Sequence, residues 1–203
     1  MSAYISPKDT AKLIRSALKE SFPGIKFSVR SDTYAGGASI RVTWADGPNS
    51  KQVESVAGQF AGGYFDGMTD YKCTRYHMLD GARVRFGADF VFCERKYGDA
   101  AIERALRSAL VGWEVRDCRG AVVTISPTVQ DYRSGNLYQY YAGGEWCTGS
   151  PHHSAQSMIS RWLAKHSDRL QAMPSPTLAR LHYLGDDGYG CGATGPAHLS
   201  VVS

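Results

Sequence analysis

The sequence predicts an α+β protein: an antiparallel sheet with helices packed on one face, followed by a mixed α/β C-terminal half. Three observations lead there. Apolar residues recur at helical spacing in some segments and at every second position in others. The two kinds succeed one another as helix, strand, strand, helix, strands, helix over the first 110 residues. Turn-forming pairs such as Asp46-Gly47 and Asp80-Gly81 separate them.

The first helix opens at Ser6-Pro7, with Ser6 suited to the N-cap, Pro7 to the first helical position and Asp9 to the first turn. Ala11, Leu13, Ile14, Ala17 and Leu18 form its apolar face, and Phe22-Pro23-Gly24 stops it. Ile25, Phe27 and Val29 then alternate with Lys26, Ser28 and Arg30, the pattern of a half-buried strand. After Tyr34-Ala35-Gly36-Gly37, Ile40, Val42 and Trp44 point inward and Ser39, Arg41 and Thr43 outward. Asn49 with Gln52 forms a capping box for a second helix whose apolar face is Val53, Val56, Ala57 and Phe60. Residues 62–67 read as a Gly-rich connection. Two or three strands occupy about 70–96, with a hairpin at Asp80-Gly81 and a buried strand at Phe90-Val91-Phe92. Asp99 is placed to cap a third helix carrying Ile102, Ala105, Leu106, Ala109 and Leu110.

The second half is less regular. Residues 113–115 and 122–125 read as strands joined through Arg119-Gly120, and Ser150-Pro151 as the start of a helix that turns Met158, Ile159, Trp162 and Leu163 inward. The Gly-rich tail from Gly185 reads as a loop. The change of pattern near residue 110 divides the chain into two expected domains, 1–110 and 111–203.

Composition narrows the class. At 203 residues, the chain buries a core without disulfides or metals. No apolar run approaches the roughly 18 residues of a membrane span, and the first residues lack the basic and apolar regions of a signal peptide. Five cysteines without a C-x-x-C pair read as free thiols in a reducing cytoplasm. Residues 1–110 hold 16 Lys+Arg and 12 Asp+Glu, so the whole net charge of +4 sits in that half. Because side chains alternate faces along a strand, Lys26, Arg30, Arg41, Arg83 and Arg85 are expected to project together from the face opposite the apolar residues.

Several segments of the first half resemble a known family. They are Tyr4-Ile5-Ser6-Pro7-Lys8-Asp9-Thr10-Ala11, the stretch from Phe22 to Arg30, Gly36-Gly37-Ala38-Ser39-Ile40, the stretch from Phe65 to Asp70, and Gly87-Ala88-Asp89-Phe90-Val91-Phe92-Cys93. Together they are similar to the large polyvalent protein-associated domain 29, over residues 4–96. The resemblance implies a phage or conjugative-element context, in which small stand-alone proteins include anti-CRISPR and antirestriction proteins. It brings no catalytic motif.

The search for chemistry returns little. His152-His153, with Cys147, His166 and Cys191, lacks the paired short spacings of a zinc site. Cys147, in a Gly-flanked stretch beside Trp146, is a candidate thiol nucleophile only if a His and an orienting group lie close in space. Asp66 and Asp70 read as turn residues before they read as metal ligands. There is no Walker A element. No catalytic residue, metal or cofactor is therefore expected. The leading expectation is a non-enzymatic antagonist that binds a host defence complex such as a CRISPR ribonucleoprotein. It would use the basic residues above and Tyr138, Tyr140 and Trp146 as protein-contact aromatics. The alternative is a nucleic-acid-binding protein that escorts transferred DNA. A thiol- or metal-dependent enzyme is the third reading.

Overall fold

The computed structural model describes residues 2–68, 70–143, 150–166 and 171–187. In chain order the elements are β1 (Ala3–Ile5), α1 (Pro7–Ser21), β2 (Phe27–Tyr34), β3 (Gly37–Ala45), α2 (Ser50–Ala57), β4 (Gly63–Asp66), β5 (Tyr71–Leu79), β6 (Ala82–Phe86) and β7 (Phe90–Lys96). They continue with α3 (Asp99–Ser108), β8 (Val115–Arg116), α4 (Val129–Ser134), β9 (Tyr141–Ala142), α5 (Ala155–Lys165), α6 (Pro176–Ala179) and β10 (Leu181–Asp186). The class is α+β, as expected. The described residues form two compact units, those within 1–96 and 169–203, and those within 97–168. The division therefore does not fall near residue 110: α3 goes with the second unit, and the segment holding α6 and β10 returns to the first.

In the first unit α1 begins as its sequence dictates. Ser6 Oγ accepts a hydrogen bond from the Asp9 amide at 3.2 Å, and Pro7 occupies the first turn, where its missing N–H costs nothing. Thr10, Ala11, Ile14, Ala17 and Leu18 are buried on one face. The capping box of α2 is present, with Asn49 Oδ1 accepting from the Gln52 amide and Gln52 Oε1 from the Asn49 amide. These helices share one core with the inward faces of two sheets: Val29, Ile40, Val42 and Trp44 from one, Val84 and Phe86 from the other.

The first sheet runs in the order β1-β6-β5-β10, with β4 also paired to β5; the second is β2-β3-β7. The hairpins β2–β3, β4–β5 and β5–β6 are antiparallel, as expected. Two other pairings are parallel, β1 with β6 and β3 with β7. Each joins strands far apart in sequence, and the long crossovers between them permit parallel alignment where a tight turn does not. The Asp80-Gly81 turn takes positive φ at both residues, the geometry that matches hairpin twist. The segment expected as a Gly-rich connection holds β4.

Residues 87–89 carry the chain from β6 in one sheet to β7 in the other, and the backbone hydrogen bonds there tie both sheets together. Gly87 N donates to Ile5 O at 2.8 Å, Asp89 N to Ala38 O at 2.8 Å, and Gly62 N to Ala88 O at 2.7 Å. The returning segment is anchored by Glu20, whose carboxylate accepts from the Ser175 hydroxyl and from the amide and hydroxyl of Thr177. Beyond α6, β10 pairs antiparallel with β5.

The second unit packs α3 and α5 around Ile102, Ala105, Leu137, Ile159 and Leu163. Its helix starts differ from expectation. The N-cap of α3 is Gly98; Asp99 is the first helical residue and pairs with Arg133. Ser150-Pro151 opens only a short 3-10 turn, and Ser154 caps α5, its hydroxyl accepting from the Ser157 amide. Between 113 and 125 only β8 is a strand, and Val122 forms a single bridge with Arg116.

Candidate nucleic-acid interface

Period-two alternation places Ser28, Arg30, Asp32 and Tyr34 of β2 on the side of the second sheet away from the core. Ser39, Arg41 and Thr43 of β3, and Phe90, Phe92, Glu94 and Lys96 of β7, share that side. Register then aligns them in rows. Arg30 lies beside Arg41, and Arg41 beside Phe92; the neighbouring rows are Asp32, Ser39 and Phe90, and Ser28, Thr43 and Glu94. Phe92 is 49% exposed. Its ring stacks on that of Phe90 with centroids 6.2 Å apart and planes 30° apart. Lys26, just before β2, and Lys96 are exposed in the same strand phase. The face thus presents four cations against the carboxylates of Asp32 and Glu94. Among the described residues only Arg41 of the four is engaged, with its Nε 3.5 Å from Glu94 Oε1, and both side chains of that pair are more than half exposed.

The five basic residues expected on one face are divided between two sheets. Lys26, Arg30 and Arg41 belong to the open face, whereas Arg83 and Arg85 lie on β6 of the first sheet. The cause is the crossing at 87–89, which the alternation pattern does not register. Arg83 sits over the Tyr76 ring, 4.8 Å from its centroid. Arg85 is in register with Tyr4 and lines a cleft of about 340 Å³ with Tyr4, Tyr34, Lys72 and Asp89. Asp89 is nearly buried; its Oδ2 lies 3.0 Å from Lys72 Nζ and accepts weakly from the Ala38 amide at 3.4 Å.

The aromatic candidates of the second half also separate. Tyr138 is exposed, in the 3-10 turn after α4. Tyr140 instead packs against the core of the second unit, with Tyr132 and Trp162. Trp146 and Cys147 lie outside the described residues, as does Cys191. His152 is exposed, His153 is half-buried with Nδ1 3.2 Å from Ser150 Oγ, and His166 stacks on Trp162 at 3.9 Å. Among the described residues no group of three or more His, Cys, Asp or Glu is gathered as metal ligands. Asp66 closes a turn, its Oδ1 accepting from the Met68 amide at 2.9 Å.

The alternation pattern also misplaces Phe90 and Phe92, which it makes part of a buried strand. The signal was available: Phe92 shares strand phase with Glu94 and Lys96, and a strand that ends on two exposed charges exposes that whole phase. Lys72, Asp89, Tyr4 and Tyr34 carried no such signal, because what unites them is the crossing of the chain between sheets.

No described helix is long and apolar enough to cross a membrane. Residues 5–98 match the family Large polyvalent protein associated domain 29, which is associated with mobile elements and phages. No curated protein and no solved structure matches the chain.

Proposed function

We propose that this chain is a mobile-element protein that binds single-stranded nucleic acid on the open face of its three-stranded sheet, and so escorts transferred DNA. The row of Arg30, Arg41 and Phe92, with Phe90 stacked beside it, carries this reading. An aromatic ring exposed on a sheet accepts the face of any base, and flanking guanidinium groups neutralise phosphates on either side. A duplex hides its base faces, so the preference is for single strands.

The test is fluorescence anisotropy with a labelled 20-nucleotide oligo-dT, single-stranded and as a duplex, across a salt series. Phe92→Ala is expected to weaken single-strand binding by about 1–3 kcal/mol, the usual worth of one stacked base. Replacing Arg30 and Arg41 with Ala should flatten the salt dependence, because fewer counterions are released. Absence of saturable binding, or identical curves for wild type and both variants, refutes the reading.

A second reading is supported by the second unit, which exposes Val111, Trp113, Val122 and Tyr138. Here the protein contacts a host defence complex, such as a CRISPR ribonucleoprotein, and inhibits it as an anti-CRISPR protein. Large exposed side chains of this kind suit a protein partner. Capture of that complex from host lysate after nuclease treatment supports this reading; capture lost on nuclease treatment supports direct nucleic-acid binding.

A further inference from the structure

The cleft beside the open face has a composition that the sheet face does not explain. Its walls are Tyr4 from β1 and Tyr34 from the end of β2, which are 66% and 51% exposed. Its floor is bare backbone at Gly37 and Gly87. A Cβ at Gly87 would stand 2.3 Å from the Tyr4 phenol oxygen, and one at Gly37 would stand 2.5 Å from Asp89 Oδ2 and 3.2 Å from the Tyr34 ring. Both positions therefore require glycine for the tyrosines and the carboxylate to sit where they do.

The charges are arranged asymmetrically. Asp89 neutralises Lys72 and, with a longer contact from Lys72 Nζ to Gly36 O at 3.4 Å, tethers that ammonium at the cleft. Arg85 lines the same cleft and has no hydrogen-bond or ion-pair partner among the described residues. The site thus holds one cation already compensated and one that is not. Two phenol rings flank them, in a volume at the lower end of small-molecule sites. An anion satisfies Arg85, whose planar fork matches phosphate oxygens two at a time. A flat aromatic group satisfies the tyrosine walls.

We infer that this cleft binds a nucleotide carrying a terminal phosphate, with the phosphate on Arg85 and the base against Tyr4 or Tyr34. The same chemistry has two sources, a free mononucleotide and the phosphorylated end of a single strand. Tyr34 belongs to the outward phase of β2 that also carries Arg30, so the open face leads into the cleft. The strand-end source rests on the proposed function of that face, whereas the cleft's own affinity for a nucleotide does not.

Isothermal titration with dTMP, thymidine and inorganic phosphate tests the cleft alone. Binding of dTMP at least fivefold tighter than of either fragment is expected. It should be lost in Arg85→Ala and weakened in Tyr4→Ala. Oligo-dT with a 5′-phosphate, a 3′-phosphate or neither, and a circular single strand, then identify the source. A preference for one phosphorylated end that disappears in Arg85→Ala assigns the strand end; dTMP binding with no end preference assigns the free nucleotide. If dTMP does not bind and no phosphorylated end is preferred, the inference is overturned, even where Phe92-dependent binding of oligo-dT shows that the face itself works. If Arg85→Ala binds dTMP as wild type does, the inference is likewise overturned.

Discussion

Acidification should destabilise the first unit through one buried side chain, His77. It lies on β5, 2% exposed, between the rings of Phe86 at 5.0 Å and Tyr183 at 5.8 Å. Burial, and secondarily the charge of Arg75, push its pKa down from 6.5 to about 4, against the opposing effect of a hydrogen bond with the Gln59 backbone. Its Nδ1 has no hydrogen-bond partner among the described residues. The folded state therefore holds the ring neutral, while the unfolded chain takes up a proton below pH 6.5. Stability from this group is fully present above pH 6.5 and falls as the pH drops from 6.5 towards 4. Linkage gives a loss of about 2 kcal/mol at pH 5 relative to pH 7.5, and a ceiling of about 3 kcal/mol below pH 4. Urea unfolding at pH 7.5 and pH 5.0 measures the loss in wild type and in His77→Phe, which keeps an aromatic ring in the site but cannot titrate. The variant should lose only what the carboxylates contribute, so the difference between the two proteins should be about 2 kcal/mol. NMR titration of the His77 ring supplies the direct check. Equal losses in both proteins, or a ring that titrates near pH 6.5 in the folded state, refute the reasoning.

Two other outcomes follow from local geometry. Glu20→Ala removes the acceptor for Ser175 and Thr177, both buried, and should cost about 2 kcal/mol; amide exchange should accelerate in β10 while α3 and α5 are unaffected. In the native protein an alkylating reagent at pH 8, followed by peptide mapping, should mark the exposed Cys118 well before Cys73 or Cys93. Cys73 is buried, and the Cys93 thiol is pushed up to about 12 by burial and by the Glu54 charge. Equal labelling of the three would contradict the burial.

What the sequence revealed was what short-range physics decides. Ser6 and Asn49 cap their helices as read, because a cap depends on residues three positions apart. The inward phase of β3, from Ile40 to Trp44, is buried because alternation alone fixes it. The second unit was harder to read. β8 and β9 are two residues each, too short to impose a pattern, and α4 spans only six. α6 and β10 leave no local signal because their stabilising partners, Glu20 and β5, lie about 100 to 155 positions earlier in the chain. β1 is equally silent: a three-residue strand carries no alternation, and its partner β6 is some 80 residues away.

The candidate sites divide along the same line. The open face is assembled from strand interiors and is recoverable from sequence once the phase of β7 is read from its charged end. The cleft depends on segments that only the fold joins. Three stretches that carry the family resemblance, around Tyr4 and Pro7, Gly36 to Ala38, and Gly87 to Asp89, all reach its lining, although they are separated by some 30 and 50 residues of chain. They meet because the crossing at 87–89 hydrogen-bonds at once to Ile5 in one sheet and to Ala38 in the other. A glycine at 87 or 37 is therefore tied to a tyrosine or a carboxylate in a different element, and none of these residues can be judged singly. That interdependence gives these scattered short segments a common physical reason: they are the parts of one cleft, and the residues between them supply the sheets that hold its walls apart.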